Sequence, residues 1–187
     1  MDRPIWQPNP EQTGTANMEL FTAGIVDRHG IASGYESLHA WSVRFPEDFW
    51  SSVWDFCGVI GDKGEKPYLV NGDLLPGASW FPNAQINFSE NLLRCRDERT
   101  ALELRGEDRV RQTITYRELY EQVSLYRQAL EAAGVEEGDR VVAYMPNIPL
   151  TVITMLAVTS MGAIWSSCSP DFGVDGVVDR FGQIAPK

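Results

Sequence analysis

Residues Asp139 to Asp171 constrain the fold more than any other part of the chain, because they spell one strand, helix, strand unit. Gly138-Asp139-Arg140 leads into Val141-Val142-Ala143-Tyr144-Met145, a short apolar run closed by Pro146-Asn147 and patterned like a strand covered on both faces. From Ile148 to Met161 the apolar residues Ile148, Val152, Met155, Leu156 and Val158 recur at three-and-four spacing, and Gly162 stands where a C-terminal cap belongs. Ala163-Ile164-Trp165-Ser166 predicts the second strand. Consecutive strands joined by a helix run parallel, and open α/β sheets take ligands at the carboxyl ends of their strands. That rule puts Ser167, Cys168, Ser169, Pro170 and Asp171 on a candidate binding rim.

Upstream, Thr15 is placed to cap a helix carrying Met18, Phe21 and Ile25 on one face, with Gly30 beyond its end. Pro46 suits a first helical position, Glu47 and Asp48 complement the positive end of the helix dipole, and Phe49, Trp50, Val53, Trp54 and Cys57 form an apolar stripe before Gly58. Four of the six tryptophans lie between Trp41 and Trp80, so this stripe reads as packing surface. Leu75 to Asn83 is rich in turn formers. Thr100–Leu104 and Val110–Ile114, flanking a Gly106-Glu107-Asp108 turn, predict a β-hairpin. Thr115-Tyr116-Arg117-Glu118 matches a capping box, and a long helix follows with Leu119, Val123, Tyr126, Leu130 and Ala133 on one face before Gly134.

The formal net charge of −10 argues against nonspecific binding to nucleic acid or anionic membranes, which need a basic face. It leaves a nucleotide ligand open, because a few backbone N–H groups can hold a phosphate. Cys57, Cys95 and Cys168 are odd in number and far apart, which supports neither a disulfide framework nor a zinc site and fits a reducing cytoplasm. No secretory signal opens the sequence, and the apolar stretch from Leu150 to Trp165 falls short of the roughly 20 residues of a membrane span.

Three stretches carry a resemblance. Ile114-Thr115-Tyr116-Arg117-Glu118-Leu119, Gly134-Val135-Glu136-Glu137-Gly138-Asp139-Arg140-Val141 and Leu156-Ala157-Val158-Thr159-Ser160-Met161-Gly162-Ala163 resemble, in order and spacing, the first core motifs of the adenylate-forming acyl-CoA synthetase superfamily. Trp80 to Leu92 is similar to the N-terminal extension of the acetyl-CoA and acetoacetyl-CoA synthetase branch, and Trp165–Gly173 with Asp179–Ile184 leans toward its acetoacetate-activating members. The resemblance implies an α/β fold in which residues 1–95 are an N-terminal helical extension. Residues 96–187 would then hold the first strands and helices of the large AMP-binding domain, incomplete.

By the same implication the parent enzyme is an acid–thiol ligase using ATP, Mg²⁺ and CoA. ATP and acetoacetate, or another short acid such as acetate or propionate, give an acyl-adenylate and diphosphate, and CoA displaces AMP. A carboxylate is a poor electrophile until its oxygen becomes a good leaving group, which is what adenylation achieves. The family's phosphate loop, rich in Ser, Thr and Gly and ending in Lys, has no counterpart before Lys187, and its hinge and C-terminal domain with the catalytic Lys are not here either. The expectation is a piece of a longer enzyme that holds no catalytic residue and is inactive alone. The position of Ser169-Pro170-Asp171 implies a CoA contact, although this chain has Ser, Pro and Asp where the family branch has glycines. The rival reading is a turn in which Ser169 or Asp171 caps the next helix. A thiol nucleophile at Cys168 would need a base, and both histidines lie far upstream, His39 beside Trp41 and His29 near a helix C-terminus that favours a cation, where structural roles are expected. Glu136-Glu137 reads as a solvated loop. Two other classes stay open: a non-catalytic interaction or self-association module, and a dinucleotide oxidoreductase, for which no Gly-x-Gly-x-x-Gly follows a strand.

Overall fold

Two clusters of apolar side chains sort the chain into the units Met1–Gln85 and Ile86–Lys187. The computed structural model describes residues 5–107 and 109–187. The first unit contains α1 (Pro10–Gly14), α2 (Asn17–His29), α3 (Tyr35–Arg44) and α4 (Pro46–Cys57). Four two-residue strands follow: β1 (Gly61–Asp62), β2 (Leu69–Val70), β3 (Ser79–Trp80) and, at the unit boundary, β4 (Gln85–Ile86).

Pro46 opens α4, and Glu47 and Asp48 fill its first turn, as the sequence predicts. Phe21, Ile25, Leu38 and Trp41 are buried, and Phe49 and Val53 of α4 pack on them. Phe49 meets Phe21, Trp41 and Trp50 edge-on at centroid distances of 5.9, 6.0 and 5.2 Å, the arrangement that sets a positive ring edge against a negative face. The outer part of the stripe is less buried than its pattern suggests, since Trp50 is 46% exposed and Cys57 faces solvent. Thr15 does not cap α2. A short helix precedes it, so Thr15 ends α1 with its hydroxyl turned back to the Glu11 carbonyl (3.3 Å), and Ala16 takes the N-cap position. Met18, placed on the buried face by the pattern, is exposed.

The second unit contains α5 (Phe88–Leu92), β5 (Thr100–Gly106), β6 (Val110–Thr115), α6 (Tyr116–Ala132), β7 (Arg140–Tyr144), α7 (Pro149–Ser160), β8 (Ile164–Cys168) and α8 (Val174–Gly182). The predicted hairpin is present, β5 antiparallel to β6 with Leu104 opposite Gln112. The capping box closes as read: Glu118 N–H donates to Thr115 Oγ1 (3.2 Å) and Thr115 N–H to Glu118 Oε2 (2.8 Å). Leu119 and Val123 of α6 pack with Ile114, Leu93 and α7 residues Ile153, Leu156 and Ala157 into one core, while Tyr126 stays exposed.

β7 and β8 run parallel, Val142 opposite Ser166, with α7 as their crossover. Gly162 turns the chain out of α7 at φ +74, a conformation a side chain resists. The two-faced burial predicted for β7 is not found: Arg140 to Ala143 are half-buried and Tyr144 is exposed. Among the described residues this sheet has two strands, and so small a sheet leaves much of its surface open. The last residues fold back on β7. Arg140 donates to the carbonyls of Ile184 (3.1 Å) and Ala185 (2.9 Å), Lys187 N–H donates to Arg140 O (3.0 Å), and Lys187 Nζ pairs with Asp139 at 2.8 Å.

Candidate functional site

The carboxyl end of the parallel pair sits where the sequence places it, but the rim is shorter than read. Ser167 and Cys168 belong to β8, with Cys168 buried, because the strand pairs through Tyr144 opposite Cys168 before the chain turns. The loop proper begins at Ser169. Its hydroxyl donates to Asp171 Oδ2 (2.8 Å) and accepts from Asp171 N–H (3.4 Å), while Phe172 N–H donates to Ser169 O (3.2 Å), closing a tight turn. Neither side chain caps the next helix. The N-cap of α8 is Gly173, which offers no side-chain bond.

Two residues that local pattern reading missed brace this loop. Tyr144, the last residue of β7, places its hydroxyl 2.7 Å from Pro170 O and 2.9 Å from Phe172 O. Arg180 of α8 lays its guanidinium over the Phe172 ring, 3.9 Å from the centroid, with Nη1 donating to Gly176 O (3.0 Å). No local signal marks Tyr144, since its acceptors lie 26 and 28 residues further on. Beside the loop an apolar cleft of about 210 Å³ opens between Tyr144 and Val174, Val177 and Val178. The rim thus offers one carboxylate, one guanidinium, a hydroxyl and backbone groups next to an apolar wall.

Cys168 Sγ lies 3.7 Å from Ser169 O, and both histidines belong to residues 1–85. His29 packs on Trp41 with ring centroids 4.6 Å apart, and His39 stacks on Tyr35 at 5.9 Å. Among the described residues no three His, Cys, Asp or Glu side chains gather to hold a metal ion. No helix is long and apolar enough to cross a membrane, among the residues described.

The model of the AMP-binding enzyme family matches residues 88–187, more than half of the chain, and the chain belongs to that family. A second family model, the acetyl-coenzyme A synthetase N-terminus, matches residues 35–92. The chain is similar to an acetoacetyl-coenzyme A synthetase of Rhizobium meliloti, 50% identical over 187 residues that make up all of this chain and 29% of that protein. It is also similar to a malonamoyl-CoA synthetase of Penicillium aethiopicum, 36% identical over 98% of this chain and 26% of that protein. Among solved structures, the acetoacetyl-CoA synthetase from Streptomyces lividans superimposes with a TM-score of 0.88 at 38% identity, covering 99% of this chain and 29% of that one. The chain therefore spans less than a third of the relatives it matches, as an N-terminal portion with mixed helix and strand.

Proposed function

We propose that the chain is the N-terminal part of an AMP-forming acetoacetate–CoA ligase of the cytoplasm. In this reading residues 1–95 are its extension and residues 96–187 the start of its adenylation domain. The observation that carries this is the unbroken 50% identity across all 187 residues to a protein named for that activity, joined to a TM-score of 0.88 with a second one. So long and continuous a match favours the ligase over an interaction module or an oxidoreductase.

The whole enzyme would transfer AMP from ATP to the acetoacetate carboxylate, releasing diphosphate, and the CoA sulfur would then displace AMP to form the thioester. The residues of this chain do not fit ATP or Mg²⁺: the sequence has no Gly-rich, Lys-terminated loop and, among the described residues, no carboxylate cluster stands ready, so no step of the adenylation is assigned to them. They fit CoA in part. Ser169, Pro170 and Asp171 lie at the strand ends, with polar atoms in the loop and the Arg180 cation in the last turn of α8. Their role would be to receive and orient CoA, with the thiol chemistry supplied by CoA itself and the remainder of the enzyme.

A hybrid tests the proposal. This chain is joined to the C-terminal remainder of the Streptomyces lividans synthetase, and diphosphate release is followed with acetoacetate, ATP, Mg²⁺ and CoA. The hybrid is expected to turn over and the 187-residue chain alone to stay at background. A folded but inert hybrid overturns the ligase reading; turnover by the chain alone overturns the assignment of the catalytic groups to the remainder.

A further inference from the structure

An exposed four-residue loop between a strand and a helix ordinarily samples many conformations, because nothing buried ties it down. The loop Ser169–Phe172 is such a loop by exposure, since Pro170, Asp171 and Phe172 all face solvent. It is not such a loop by bonding. We propose that Tyr144 and Arg180 are positioning residues that hold this rim in its ligand-receiving conformation before the ligand arrives. That the ligand is CoA rests on the functional reading above; the holding of the loop does not.

Each brace has a separate physical basis. The Tyr144 phenol has one hydrogen to donate, and it lies between two carbonyls, Pro170 O at 2.7 Å and Phe172 O at 2.9 Å, so a single group fixes the backbone at both ends of the turn. The internal Ser169–Asp171 bond then sets the curvature between those ends. Arg180 acts from the other side: its guanidinium covers Phe172 and is itself anchored on Gly176 O. Gly176 leaves the space for this. A Cβ there would stand 3.2 Å from Arg180 Nη1 and 3.5 Å from Phe172 Cβ, pressing the cation off the ring. A loop already ordered loses less conformational entropy when it binds, so these braces act on affinity and leave the chemical step alone.

Amide hydrogen exchange on the 187-residue chain tests the holding directly, with Tyr144→Phe as the first variant because it removes the hydroxyl and keeps the ring. Exchange of the Asp171 and Phe172 amides is expected to quicken roughly fivefold or more, the effect of losing a hydrogen bond of ordinary net strength, while β5, β6 and α6 stay unchanged. Arg180→Lys, which keeps the charge and loses the flat stack, is the second variant and should quicken the same two amides. Unaltered exchange in both variants overturns the proposal. The hybrid enzyme then separates the ligand from the loop: KM for CoA should rise by a similar factor in Tyr144→Phe, with kcat and KM for ATP within about twofold. Faster exchange with an unmoved KM for CoA upholds the braces and removes CoA as the ligand of the rim.

Discussion

Ser89 is fully buried, and its hydroxyl lies 2.8 Å from Leu156 O and 2.6 Å from Thr159 Oγ1. Two residues earlier, Asn87 Nδ2 donates to Thr159 O (3.0 Å) and Ser160 O (3.4 Å), carbonyls of the last turn of α7. This short polar stretch ties α5 to the end of α7. Ser89→Ala is expected to lower the stability of residues 86–187 by about 1 kcal/mol, because it removes the bonds that a fully buried hydroxyl makes with α7, and urea denaturation will measure it. Thr115→Ala should cost about 1 kcal/mol by the same measurement, since it opens the cap of α6. The two residues differ in how readable they were. Thr115 announces itself through Glu118 three positions on, whereas the partners of Ser89 lie 67 and 70 positions away and nothing in its neighbourhood points to them. Tyr144 was hidden for the same reason.

Elements with local punctuation were legible, and those defined by distant neighbours were not. The hairpin, α4, α6 and the β7–α7–β8 unit carry their own turn formers, caps and periodicity, and all are present where read. Thr15 misled because one good capping residue cannot tell the start of a helix from the end of a shorter one before it. Gly162→Ala tests the punctuation after α7. It should cost about 1–2 kcal/mol for the left-handed backbone alone, and the new Cβ would also stand 3.0 Å from Glu137 Cγ, so thermal denaturation should show at least that loss. The final residues give a pH prediction. The Lys187 ammonium, and after it the Glu136 amide, hold the Asp139 carboxyl below its ordinary 3.8. A depressed carboxylate strengthens the folded tether at pH above that ordinary value, and the contribution disappears as pH falls through the lowered one. The Lys187–Asp139 pairing should therefore persist through the neutral range and release only in acid below about pH 4, more readily at high salt because the pair is partly exposed. NMR titration of the Asp139 side chain and the Lys187 amide will show this, and Asp139→Asn should abolish the acid transition.

At the scale of the whole molecule, one stretch of sequence is shared by synthetases named for two different acids, acetoacetyl at 50% identity and malonamoyl at 36%, each matched over nearly all of this chain. We propose that the groups telling the two acids apart lie in the remainder of the enzyme, beyond these residues. Hybrids of this chain with the C-terminal remainder of either relative should therefore prefer the acid of the remainder, which competition between acetoacetate and malonamate in a diphosphate-release assay will read. The candidate site is divided in the same way. The strand ends and their loop were visible as a rim, whereas the groups for phosphate and acyl carbon belong, in the proposed reading, to the remainder of the enzyme. The net charge of −10 adds an unfavourable field for any anionic ligand of this chain.

The amide of Lys187 bonds to Arg140 O. The neighbours on either side of Arg140 in the ladder, Asp139 and Val141, turn toward β8, so Arg140 O points to the opposite edge. Among the described residues no strand pairs with that edge of β7, and Tyr144 stands at the carboxyl end of β7, the end at which open α/β sheets take ligands.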